Sequence, residues 1–208
     1  MTKPYQRLGV IGRFKPLHKG GAVMLETLCE KADHVIIGIG SSNKYNVRNP
    51  FTAEESQAMV EAFLSSRFNN YEILYVPDFA HISGYEDGQQ WRVYVKEHFG
   101  KLDAFVSGNS YVGDLLKEDY PIIHPADLIS ADKKIMMRGS AVRLEMARGG
   151  DAWKEMVPEN VAKYLVENKL INRFRKEFGL QTLIALVDGV EYTRSETEEE
   201  EKEHPKEE

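Results

Sequence analysis

Residues 8–28, LGVIGRFKPLHKGGAVMLETL, decide how the rest of this chain is read. A short apolar run passes into a turn holding Arg13, Lys15 and His18, after which Val23, Met24, Leu25 and Leu28 recur at helical spacing. The pattern predicts strand, loop, helix. A loop at the carboxyl end of a buried strand, feeding a helix whose first amides lack partners, forms an anion site, because those N–H groups and the helix dipole both point into the loop. Phosphate is the expected guest.

Outward from that stretch, residues 34–40 (HVIIGIG) form a second continuous apolar run, as expected of a strand covered on both faces of a parallel sheet. The two runs and the helix between them make a right-handed β-α-β unit. A polar segment follows and ends in Thr52-Ala53-Glu54-Glu55, a capping box opening a helix with Ala58, Met59, Ala62 and Phe63. Strands are predicted at 72–76 and 104–107, with a helix at 89–99 between them, and a short helix at 111–117 leads to a strand at 121–123. Residues 124–134 read as an exposed segment. Ser140 is the expected N-cap of a helix to Ala147, and Pro158 opens a helix that carries Val161, Tyr164, Leu165 and Leu170 on one side. Leu183-Ile184-Ala185-Leu186-Val187 reads as an edge strand or an oligomer contact, with a turn at Asp188-Gly189. Strands alternating with helices specify an α/β protein, an open doubly wound parallel sheet with its ligand at the carboxyl ends of the strands.

The 208 residues suit one domain, placed at 1–179, with an extension at 180–194 and an acidic tail at 195–208. The tail holds eight Glu against two Lys, which accounts for the whole net charge of −6 and leaves the body balanced. Such a block is expected to be disordered, and the overall acidity says nothing against a basic pocket. Hydrophobic residues at 42% exclude a disordered or fibrous chain. No apolar run is long enough to span a bilayer and the first residues lack a signal-type segment, so a cytoplasmic protein without membrane or nucleic-acid partners is expected. Cys29, alone of its kind, reads as a small core residue, and His81, His98 and His124 show no metal-ligand spacing.

Three distant segments should meet on one edge of the sheet: the loop around His18, the loop after the second strand, and Gly139-Ser140-Ala141-Val142-Arg143. Each brings cations or backbone amides, as a triphosphate requires.

Gly12-Arg13-Phe14-Lys15-Pro16-Leu17-His18-Lys19-Gly20 resembles the His-x-Gly-His loop of the nucleotidylyltransferase superfamily, in the version carried by archaeal-type nicotinamide-nucleotide adenylyltransferases. Gly21 stands where that family has its second histidine; it supplies no side-chain donor but leaves room and an exposed amide at the helix start. Gly139-Ser140-x-x-Arg143 resembles the second superfamily signature, with Arg138 in place of a serine. Gly40-Ser41 and Asn49-Pro50-Phe51-Thr52 resemble the same branch, although Tyr45-Asn46-Val47 departs from it. Trp91 looks like the tryptophan that stacks on nicotinamide, Asp78 like the aspartate before it, and Ser107-Gly108-Asn109 like the turn beside the nucleotide.

The resemblance implies a Rossmann-like fold and, as the first reading, transfer of an adenylyl group from ATP, with Mg²⁺, to nicotinamide mononucleotide or its deamido form. His18 would hold the α-phosphate, Arg13 and Lys19 the phosphates, and Arg143 with the amides near Ser140 the β/γ end. Gly12, Phe14, Gly20, Gly21, Gly108, Asn109 and Gly139 would border the nucleotide. Gly40, Ser41, Arg48, Asn49, Asp78 and Trp91 would receive the acceptor. Assembly into a homo-oligomer is implied as well. Two other readings stay open: a different nucleotidylyl transfer, for example from CTP, supported by the altered loop at 44–47, and a nucleotide binder with little catalysis, supported by Gly21.

Overall fold

The computed structural model describes residues 2–187. Strand β1 (Tyr5–Gly12) leads through the His18 loop into α1 (Lys19–Lys31), which passes directly into β2 (Ala32–Gly40). Next come α2 (Ala53–Leu64), β3 (Tyr71–Val76), α3 (Gln89–Phe99), β4 (Ala104–Val106), α4 (Ser110–Leu116) and β5 (Ile122–Ile123). The five strands lie parallel in the order β3-β2-β1-β4-β5, so the crossovers through α1 and α2 cover one face and those through α3 and α4 the other. The order reverses between β1 and β4, and the crevice beyond their carboxyl ends is where such sheets take ligands. The strand–loop–helix reading of 8–28 and the parallel α/β architecture are both present.

The period-2 side chains of the central strands divide between two apolar layers. Leu8, Val10, Val35, Ile37, Ile39, Ala104 and Val106 point into the larger layer, with Leu25, Leu28, Met59, Val142 and Phe174. Ile36, Val76 and Phe105 face the smaller one with Val95, Phe99, Leu102 and Leu116. Gly38 sits where Phe99 crosses the sheet, since a Cβ there would lie 2.9 Å from the Phe99 ring and 2.6 Å from Ile11.

Local signals hold where their partners are close in sequence. The capping box of α2 is complete: Thr52 Oγ1 accepts from the Glu55 amide at 3.2 Å and Glu55 Oε2 accepts from the Thr52 amide at 2.9 Å. Such a cap contributes about 1 kcal/mol. The carboxyl end of α1 is closed by distant groups, Lys3 Nζ and Asn70 Nδ2, which both donate to the carbonyls of Cys29 and Ala32. Cys29 is buried in the core, where burial pushes its thiol up to about 12, away from any nucleophilic role.

Residues 124–134 are exposed or half-buried throughout, as expected, and contain α5 (Pro125–Leu128) and a 3-10 turn (Ala131–Lys133), both too short to leave a periodic signal. The later chain differs from the sequence expectations in three places. Helix α6 (Gly139–Ala147) takes Arg138, not Ser140, as its N-cap; Ser140 lies inside the first turn with 8% exposure. Helix α7 (Glu159–Glu167) follows a 3-10 turn (Ala152–Met156) and stops before Leu170, because Lys169 takes a left-handed conformation with φ 56°. Leu170 instead begins α8 (Leu170–Phe174), which runs through a π-helical turn (Arg175–Gly179) into α9 (Leu180–Val187). The apolar run at 183–187 is thus helical rather than an edge strand; an apolar stretch of that length fits either state, and here an existing helix extends through it. The boundary drawn at Gly179 falls inside this helical segment. The turn at Asp188-Gly189, the rest of the extension and the acidic tail lie outside the described residues. No described helix is long and apolar enough to cross a membrane.

Candidate active site

The loop leaving β1 folds back over the end of its own strand. Phe14 adopts φ 51°, unusual for a residue with a side chain, and its ring covers Gly12 so closely that a Cβ there would lie 2.6 Å from the ring. Leu17 is fully buried and Phe14 nearly so, so two apolar anchors hold a loop that also carries three basic groups.

His18 is the N-cap of α1, and its Nδ1 accepts from the Gly21 amide at 3.1 Å. With Nδ1 accepting, the neutral ring carries its proton on Nε2. The exposed amide expected at Gly21 is therefore already engaged. Gly20 is required by a partner far along the chain: a Cβ there would stand 2.7 Å from the Ile135 carbonyl oxygen. Gly21 has more freedom, a Cβ meeting Leu17 Cδ1 at 3.3 Å and His18 at 3.7 Å.

The start of α6 closes the other side. Its N-cap residue, Arg138, makes no side-chain cap hydrogen bond to this helix. A Cβ at Gly139 would lie 3.3 Å from Arg143 Nη1 and 3.9 Å from His18 Cδ2, so the late turn and the first loop are in contact. Arg143 is 7% exposed and its Nη1 donates to the Lys15 carbonyl at 3.1 Å.

Gly12, Arg13, Phe14, His18, Gly20, Gly21, Gly139 and Arg143 line one cavity of about 310 Å³. Lys19 and Ser140 occupy the first turns of the two flanking helices without lining it. Gly108 and Asn109 form the β4–α4 turn, where Asn109 Oδ1 caps α4 by accepting from Val112 N at 3.1 Å. Gly108 lies beside His124, which does line the cavity. Gly40 backs onto Arg13, and the Ser41 carbonyl accepts from Lys15 Nζ. Arg48, Asn49, Asp78 and Trp91 do not line the cavity. The side chain of Asn49 donates within its own loop to Asn46, Asp78 turns its carboxylate to the Ala80 amide, and Trp91 packs half-buried against the smaller core layer.

Several lining residues escaped the sequence reading. His124, with Nδ1 accepting from Ala126 N at 3.2 Å, carried no motif. Lys134, Ile135, Met136 and Met137 form a wall that no period announces. Lys15 occupies a variable position of the loop motif, yet it is 2% exposed, with Nζ donating to the carbonyls of Ser41 (2.8 Å) and Lys44 (3.5 Å). Burial, then the Arg13 charge, lowers its ammonium to about 8 against a weaker pull upward from Glu54. The loop after β2 is also tied to the C-terminal helices. Arg173 grips Glu55 (2.6 Å to Oε2) and donates to the Pro50 carbonyl, while the Tyr45 hydroxyl donates to Glu177. Burial and that hydrogen bond push the Tyr45 phenol up to about 12.

Chemically, the cavity offers an imidazole N–H, a buried guanidinium and a helix start around a space the size of a nucleotide fragment. This donor set suits a polyanion. Residues 10–120 match the family model described as cytidylyltransferase-like. The chain is 31% identical over 171 residues to the nicotinamide-nucleotide adenylyltransferase of Pyrococcus furiosus, covering 79% of this chain and 85% of that protein. The Methanococcus maripaludis protein of the same name is 29% identical over 171 residues, covering 82% and 94%. Among solved structures, a bifunctional NMN adenylyltransferase/ADP ribose pyrophosphatase from Francisella tularensis, complexed with AMP and a manganese ion, superposes with a TM-score of 0.65 at 19% identity. That match spans 92% of this chain and 58% of the bifunctional protein, and it supports the fold. The chain belongs to the cytidylyltransferase-like nucleotidyltransferases, alongside the archaeal nicotinamide-nucleotide adenylyltransferases.

Proposed function

We propose that this protein transfers the adenylyl group of ATP to nicotinamide mononucleotide or its deamido form, releasing pyrophosphate. The observation that carries the reading is the meeting of His18, Gly139 and Arg143, from opposite ends of the sequence, around one cavity at the switch point of the sheet. A phosphate oxygen of the acceptor attacks the α-phosphorus in line; the new P–O bond forms as the bond to the β-phosphate oxygen breaks, and both electrons leave with pyrophosphate. No covalent enzyme intermediate is needed, so positioning and charge neutralisation supply the catalysis.

His18 Nε2–H donates to the α-phosphate, Arg143 and the first amides of α6 hold the β/γ end, and Arg13 and Lys19 balance the remaining charge. Gly40, Ser41, Arg48 and Asn49 receive the acceptor phosphate side, with Trp91 and Asp78 toward its base. Among the described residues no three His, Cys, Asp or Glu side chains gather. Mg²⁺ would enter on the triphosphate oxygens as part of the substrate and screen their charge.

A second reading, nucleotide binding with little turnover, is favoured by Gly21, which has no side chain and spends its amide on His18. Following pyrophosphate release with Mg²⁺, ATP or CTP and each acceptor separates them. ATP with a nicotinamide nucleotide should turn over, and CTP should not. Tight ATP binding without release, together with turnover gained in Gly21→His, would establish the second reading instead.

A further inference from the structure

Lys15 is the residue at which the segments of this site meet. Its ammonium donates to the Ser41 and Lys44 carbonyls of the loop after β2, and its own carbonyl accepts from Arg143 of α6. It lines the cavity, and only 2% of it is exposed. A buried ammonium held by carbonyls is costly, and an apolar side chain of similar length would fill the same space without that cost. Such a group is a functional candidate when it sits in a cleft beside a specific set of charges.

We propose that Lys15 is the positioning residue of the site, locking the acceptor loop and Arg143 into one register with the His18 loop and strengthening that lock when a polyanion enters. The role rests on the nucleotidyl-transfer reading for its catalytic consequence, but not for its binding consequence. The charged groups acting on the Lys15 ammonium are Arg13 on its own loop and Glu54 at the start of α2, while Arg143 of α6 hydrogen-bonds its backbone carbonyl. In the ligand-free protein burial and Arg13 hold the ammonium near 8, so at pH 8 it is only partly protonated. The negative charge of a bound triphosphate favours the protonated form, raises that value and draws in a proton. Below pH 7 Lys15 is already charged and contributes no uptake.

Calorimetric titration of the full chain with Mg-ATP at pH 8, in two buffers of different ionisation enthalpy, reads this directly. The wild type should take up a fraction of a proton, and Lys15→Met should lose that uptake. In the pyrophosphate assay Lys15→Met should lower kcat/KM for ATP and for the acceptor together, by about 10²-fold, as expected from a misplaced site, and Lys15→Arg should restore much of it. Absence of uptake in the wild type, equal uptake in Lys15→Met, or wild-type kinetics in Lys15→Met each overturns the proposal. Should Lys15→Met fail to fold, the wild-type uptake and the variant Lys15→Gln decide the matter. A wild-type chain that releases no pyrophosphate with any acceptor removes the adenylyl-transfer reading while leaving the calorimetric result to judge Lys15.

Discussion

Helices α1 and α6 both start at the cavity, both have glycine in the first turn, and yet they present opposite chemistry. At α1 the imidazole of His18 turns inward and caps its own helix through Nδ1, so the Gly21 amide is satisfied by the protein. At α6 the N-cap residue Arg138 makes no side-chain cap hydrogen bond, and a buried arginine one turn on stands beside Gly139. The difference teaches that one end is built as a rigid platform offering a single N–H, and the other as a receptor for charge. A triphosphate spanning the cavity would take its main neutralisation from α6 and its orientation from α1.

That contrast can be broken most forcefully at Arg143. Arg143→Ala removes the buried guanidinium and its bond to Lys15, and kcat/KM for ATP measured by pyrophosphate release should fall about 10²–10³-fold. A fall below fivefold would mean that α6 is not the receptor. His18→Asn sharpens the other half, because asparagine keeps an acceptor for the Gly21 amide while removing the imidazole N–H. Turnover should drop by about 10²-fold, with folding stability within about 0.5 kcal/mol of the wild type in urea titrations. Unchanged turnover would show that the histidine serves only as a cap. The smallest effect is expected at Gly21→Ala, where the new methyl meets Leu17 Cδ1 at 3.3 Å and His18 at 3.7 Å. Better helix propensity favours the alanine, but the fully buried Leu17 must give by a few tenths of an ångström, so the net change in urea titrations should stay within about 0.5 kcal/mol. A clear loss would mean that the platform is packed more tightly than its geometry allows.

The readable parts of this chain share one property: their partners are near in sequence or are supplied by a repeating pattern. HVIIGIG announces a strand buried on both faces, and Thr52 with Glu55 announces a helix start, because each signal is complete within a few residues. Residues 134–137 carry no period, and their place in the cavity wall follows from the Ile135 carbonyl lying against Gly20. Ser140 has the chemistry of a cap but stands two residues too late, since the chain turns helical at Gly139. Tyr45 departs from the family pattern in sequence; only the fold sets its ring against Phe178 (5.2 Å) and its hydroxyl on Glu177, 132 residues away.

By itself, then, the sequence determined a parallel α/β sheet and the three loops that leave its carboxyl edge with glycines and cations, because hydrophobic period and turn chemistry are local properties. The tertiary structure alone decided which atoms of those loops face the cavity: His18 Nδ1 spent on its own helix, Lys15 buried beneath Ser41, Arg143 drawn onto the Lys15 carbonyl. Those choices depend on satisfying buried polar groups with partners from distant segments, and no short window of sequence contains both members of such a pair.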